Sequence, residues 1–198
     1  MKKSIPFLII ALSLLASCNN SNPDVNTGRT EDNSTPLINY SVVRTLPHDT
    51  TSFTEGFLFH NGELYESTGT EPSMPESRKS MFGVVDPKTG RVTIKVELDR
   101  NKYFGEGITF LNDKVYQLTW QTKIGFIYDA KTFKKLGEFT MPVKEGWGMT
   151  TDGANLIMSD GTSNISYVDP ATFRLVKVVG VTDNNGPVSN INELELIH

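Results

Sequence analysis

FGEGITFLNDKVYQLTW, residues 104–120, reads as an apolar strand, a two-residue Asn112-Asp113 turn and a second strand. Asn and Asp tolerate the positive φ that a tight hairpin turn needs, and the flanking Ile, Phe, Val and Tyr suit a half-buried pleated surface. Outward from this stretch, the same order of signals occurs twice more. FTEGFLFHNGELYESTG (53–69) turns at Asn61-Gly62, and GWGMTTDGANLIMSDG (146–161) turns at Asp152-Gly153. Each hairpin leads to a short strand, an Asp-x-x-Thr turn and a last apolar strand such as Val92–Leu98 or Leu175–Val179; the three turns begin at Asp86, Asp129 and Asp169. Gly56, Gly107 and Gly148 are 51 and 41 residues apart, and the extra length of the first repeat falls in the loop 70–79. Four strands in a repeat of roughly 40–50 residues describe a propeller blade. No stretch has helical periodicity, so the domain is expected to be all-β. A two-sheet sandwich would give no reason for so strict a repeat.

The repeat also locates the chemistry. In a propeller the innermost strand of each blade lines the central channel. Alignment of the repeats puts Glu55, Glu106, Trp147 and Asn192 at one equivalent position, a ring at one channel mouth. Phe53 and Phe104 lie two residues before the ring glutamates. Trp120 closes the second strand of its hairpin, and simple pairing across the Asn112-Asp113 turn sets it opposite Glu106. Unlike polar and aromatic residues at equivalent positions indicate a site, because packing alone would tend to repeat itself.

Composition removes several classes. The chain has 198 residues, 19 basic against 23 acidic, and a net charge of −4 with no basic block, which sets nucleic-acid binding aside. A single cysteine excludes an intramolecular disulfide and a thiolate zinc cage. His48, His60 and His198 show no ligand spacing, and Asp183-Asn184-Asn185-Gly186 lacks the distal Glu of a calcium loop, so neither metal nor other cofactor is expected. The N-terminus reads as an address. In MKKSIPFLIIALSLLAS (1–17), two lysines precede an apolar run too short to span a bilayer and a small-residue cleavage zone. Cys18 follows Leu15-Ala16-Ser17, which resembles a bacterial lipobox and implies lipidation of Cys18. The expectation is an envelope protein anchored to a membrane through Cys18, facing the periplasm or cell exterior. Residues 18–36 are polar, punctuated by Pro and Gly, and form a tether. The domain proper is expected over 37–198.

PHDTTSFTEGF (47–57), FGEGIT (104–109), YQLTWQ (116–121), GWGMTTDG (146–153), LIMSDGTSNI (156–165) and NELE (192–195) resemble the plant and bacterial glutaminyl-peptide cyclotransferases, also called glutamine cyclotransferases. That resemblance implies a five-bladed propeller, monomeric at full length, that converts N-terminal Gln of peptides and proteins to pyroglutamate with release of ammonia. It implies Glu106 as catalytic acid/base, and Phe53, Glu55, Phe104, Trp120, Trp147 and Asn192 as substrate-binding residues. Family members carry Gln or Glu at the position of Glu55. The reaction is intramolecular, so orientation can supply much of the barrier reduction. Aromatic walls and the neighbouring Glu55 would raise the Glu106 pKa toward working pH. Asn192, the indole N–H groups or backbone amides are candidates for holding the oxyanion.

Against a five-bladed ring, three repeats end near Val181 and INELELI (191–197) opens a fourth inner strand, about three and a half blades. The expectation is a truncated chain with an open pocket, in which Glu106 faces water, its pKa falls toward about 4.3, and cyclase activity is small. The alternative from another class is a non-catalytic propeller lipoprotein that binds peptides or scaffolds a complex.

Overall fold

The computed structural model describes residues 34–197, except 75, 77 and 78; Cys18 and the leader and most of the tether lie outside them. Among the described residues, regular structure is all strand. The first four-stranded antiparallel meander comprises β1 (Thr54–His60), β2 (Glu63–Thr68), β3 (Met81–Val85) and β4 (Val92–Glu97). The second comprises β5 (Gly105–Leu111), β6 (Lys114–Thr119), β7 (Ile124–Asp129) and β8 (Lys135–Thr140). The third comprises β9 (Met149–Thr151), β10 (Leu156–Ser159), β11 (Asn164–Val168) and β12 (Leu175–Gly180). These are the three expected blades. A two-residue hairpin follows, β13 (Thr182–Asp183) with β14 (Gly186–Pro187), where the Asp183 carboxylate accepts the Asn185 N–H at 2.7 Å.

Local chemistry accounts for the turns. Asn61 and Gly62 have φ of 50° and 81°, and Asn112 and Asp113 have 52° and 57°, the paired positive values that match strand twist. The third hairpin is wider than its Asp-Gly pair suggests, with Thr151 opposite Leu156 and the Asp152 carboxylate accepting from Ala154 and Asn155 N–H. In the Asp-x-x-Thr turns, Asp129 Oδ1 accepts from the N–H of Lys131 and Thr132 and from the Thr132 hydroxyl, and Asp86 and Asp169 act alike. These bonds hold the Asp86, Asp129 and Asp169 carboxyls below the ordinary aspartate value. Their contribution to stability is present above that value and is lost as pH falls through the folded one.

The core lies between blades. Tyr65, Phe82, Ile108, Val115 and Phe126 are buried between the first and second, and Tyr116, Leu118, Met149, Leu156 and Met158 between the second and third. Such side chains each stabilise by about 1.5–3 kcal/mol relative to exposure. Every residue of the inner strand β5 is buried, whereas every residue of the outermost β12 is exposed.

The inner strands meet at the repeated glycines. A Cβ on Gly107 would stand 2.5 Å from Met149 N and 2.7 Å from Trp147 O, and one on Gly148 would stand 2.0 Å from Asn192 O. Only glycine permits backbones this close. The Gly107 N–H uses the gap to donate to Trp147 O at 2.9 Å.

Residues 191–197 lie at the place of a fourth inner strand but form no ladder, since no second strand pairs with them among the described residues. Ser159 Oγ instead donates to Asn192 O at 2.7 Å, and on the other side the Phe57 N–H donates to the Glu193 carboxylate. This segment therefore bridges the third blade to the first.

Candidate functional site

A β-bulge aims each ring carboxylate. In β1 the register shifts between Thr54 and Gly56, leaving Glu55 as the extra residue; in β5 it shifts between Gly105 and Ile108, around Glu106. A bulge bends the strand and re-aims a side chain. It also corrects the simple pairing expected for Trp120. Trp120 N–H donates to Phe104 O at 3.1 Å, so Trp120 lies opposite Phe104 rather than Glu106. The freed Glu106 carbonyl turns to the neighbouring blade and accepts from Ser67 Oγ, which Gln117 Nε2 steadies at 3.1 Å.

Glu106 is only 5% exposed. Burial pushes its carboxyl up to about 10, followed by the charge and hydrogen bond of Glu55 and then the charges of Glu193 and Glu145. Burial also raises Glu55, against the lowering effect of hydrogen bonds from Asn192 and Glu106. Asn192 Nδ2 lies 3.3 Å from Glu55 Oε2. Of these two neighbouring carboxyls, Glu106 is the one held protonated by its surroundings. The expectation that Glu106 faces water and titrates near the ordinary value is therefore wrong for this chain. The strand that carries Glu106, β5, is buried along its whole length between β1 and β9, and that packing desolvates the carboxyl.

The aromatic residues form a wall. Phe53 meets Phe104 edge-on at 5.9 Å, and Phe104 meets Trp120 at 5.8 Å. Trp120 Nε1 and Trp147 Nε1 donate to the same oxygen, Glu145 Oε2, at 2.9 and 3.1 Å. Their N–H groups are engaged, which removes them from the candidate oxyanion donors. A cleft of about 300 Å³ is lined by all seven residues expected at the mouth, Phe53, Glu55, Phe104, Glu106, Trp120, Trp147 and Asn192, with Glu71 and Met74 added. Arg100 holds the loop that carries the last two, donating to the Glu71 and Met74 carbonyls at 2.6 and 3.3 Å. A roomier cleft of about 370 Å³ on the first blade is mostly apolar, with Leu46, Phe57 and Leu64, and no carboxylate lines it.

Sequence reasoning missed Glu71, Met74, Glu145 and Glu193. The first two come from the inserted loop, for which the repeat supplies no equivalent. Glu145 had a signal: it stands two residues before Trp147, in the column of Phe53 and Phe104. The two described histidines, His48 and His60, have separate partners. His48 Nε2 bonds Glu66 at 2.8 Å, His60 stacks on Phe110 at 3.9 Å, and His198 lies outside the described residues. Among the described residues no three metal-ligating side chains converge.

A model of the glutamine cyclotransferase family matches residues 9–198. The chain belongs to that family. It is 39% identical over 174 residues to the glutaminyl-peptide cyclotransferase of Arabidopsis thaliana, a match covering 87% of this chain and 52% of the relative. The crystal structure of Myxococcus xanthus glutaminyl cyclase superposes with a TM-score of 0.67 at 27% identity, covering 79% of this chain and 63% of that one. The chain thus spans about half the length of the curated relative it matches. In this member of the family the carboxylate pair and the aromatic wall lie together, where equivalent inner-strand positions converge.

Proposed function

We propose that this member of the family converts N-terminal glutaminyl residues of peptides or proteins to pyroglutamyl residues with release of ammonia. The observation that carries the reading is a buried Glu106 that lines one cleft with Glu55, Asn192 and the aromatic wall. The wall holds the side chain folded back on its own amine, which makes attack on the γ-carboxamide carbon effectively unimolecular. Glu106 gives its proton to the departing nitrogen and, as the carboxylate so formed, takes one from the attacking nitrogen. The new C–N bond forms, the old one breaks and ammonia leaves, and Glu106 ends protonated as it began, so charge and protons balance. Asn192 is the side-chain amide placed to assist the oxyanion once substrate loosens its long bond to Glu55. The test is ammonia release by the purified protein from a Gln-initiated peptide beside its Asn-initiated counterpart, which cannot close a five-membered ring. Equal release from both would overturn the reading.

The lipobox-like sequence supports a second element of the proposal, an envelope enzyme anchored by lipidated Cys18. Several acyl chains give stable anchoring where one is marginal. The wild-type protein should fractionate with membranes, and Cys18→Ser should appear in the soluble fraction or remain unprocessed. Wild-type protein recovered soluble and without lipid by mass spectrometry would refute the anchor.

A further inference from the structure

Two indole N–H groups from different blades converge on one oxygen. Trp120 ends the second strand of the second blade, Trp147 enters the third, and Glu145 Oε2 takes both at 2.9 and 3.1 Å. The Gly146 N–H, next in the chain, donates to Trp120 O at 2.9 Å, so the backbone is pinned to the same seam. Glu145 fills the repeat position held by Phe53 and Phe104 in the other blades. A third phenylalanine there would extend the wall and leave both indoles without an acceptor.

We propose that Glu145 is a positioning residue for substrate binding: its carboxylate locks both tryptophans across the seam between the second and third blades, turning their N–H edges away and leaving carbon surface for the glutaminyl side chain. The part concerning substrate rests on the cyclase reading; the clamp itself does not. Two N–H donors on one acceptor oxygen fix the direction of each ring as well as its distance. Loss of the acceptor frees two large rings to sample other rotamers, and the peptide must then order them on binding.

Trp120 and Trp147 are the chain's only two tryptophans, so intrinsic fluorescence reports on the clamp alone. The experiment compares the parent with Glu145→Ala, Glu145→Gln and Glu145→Asp by emission, acrylamide quenching, and the KM and kcat for a Gln-initiated tripeptide. Glu145→Ala should emit at longer wavelength, quench more readily and raise KM by roughly tenfold, with kcat changing much less. Glu145→Gln keeps an acceptor oxygen in place and should stay near the parent. Glu145→Asp keeps the charge but falls short of both indoles, and should lie between. Parent-like emission and KM in both Glu145→Ala and Glu145→Asp would overturn the clamp, as would a Glu145→Gln protein as impaired as Glu145→Ala. If the parent releases no ammonia while the emission series runs as described, the cyclase reading fails and the clamp stands.

Discussion

Glu106→Gln should make the protein more stable at alkaline pH while abolishing most of its ammonia release. In the folded protein the Glu106 carboxyl is pushed up to about 10, against an ordinary value of 4.5. Between those values the folded state keeps a proton that the unfolded chain releases. Stability therefore falls as pH rises through that window, by at most ~1.4 kcal/mol per unit. Glutamine is neutral throughout and its amide still donates to Glu55, so the variant escapes the loss. At pH 8 it should exceed the parent by about 2–4 kcal/mol, the gap closing toward pH 4.5. Loss of a positioned proton shuttle costs ~10²–10⁴-fold in rate. Urea midpoints at pH 5 and pH 8, with ammonia assays on the same preparations, check both halves. Parallel pH dependences in parent and variant would mean that Glu106 is not a buried neutral acid, and near-parental turnover would remove it from catalysis.

Gly107→Ala should be the most damaging single methyl in the inner strands of the second blade. The added carbon would sit 2.5 Å from Met149 N and 2.7 Å from Trp147 O, both backbone atoms of the next blade. Neither can move without opening the seam, so the expected cost is about 3 kcal/mol. Activity should fall with it, because the same bulge aims Glu106. Gly137→Ala is the matched control. Gly137 lies in β8 with nothing within 4 Å of its would-be Cβ, and alanine there should be neutral or stabilising by about 0.5–1 kcal/mol. Thermal melts of the two variants beside the parent decide the matter; equal melting temperatures would show that the blades do not depend on this contact.

The three blades were legible because their signals are local. Asn61-Gly62 and Asn112-Asp113 specify tight hairpins through allowed φ values, and the Asp-x-x-Thr turns close on their own backbone. The ring residues were legible for a related reason. In a repeat fold, equivalent positions land on one circle around the axis, so a column of unlike residues maps directly onto one mouth.

Beyond these columns, the site depended on distances between blades. The bulges at Glu55 and Glu106 answer to contacts with the neighbouring strand, as in Gly107 N–H to Trp147 O, and a hairpin counted from its turn cannot reveal them. Hence counting from the turn pairs Trp120 with Glu106, whereas the bulge pairs it with Phe104. Burial of Glu106 required β1 and β9 to pack on either side of β5, and Asn192 and Glu193 reach back to Glu55 and Phe57 across more than 130 residues of chain. The sequence alone determined the blades, the turns and the membership of the ring, because each follows from short-range backbone preference and repetition. The tertiary structure alone decided which carboxyl keeps its proton and which oxygen receives both indoles. Desolvation and convergence are sums over every blade that approaches a point, and no single stretch of chain contains that information.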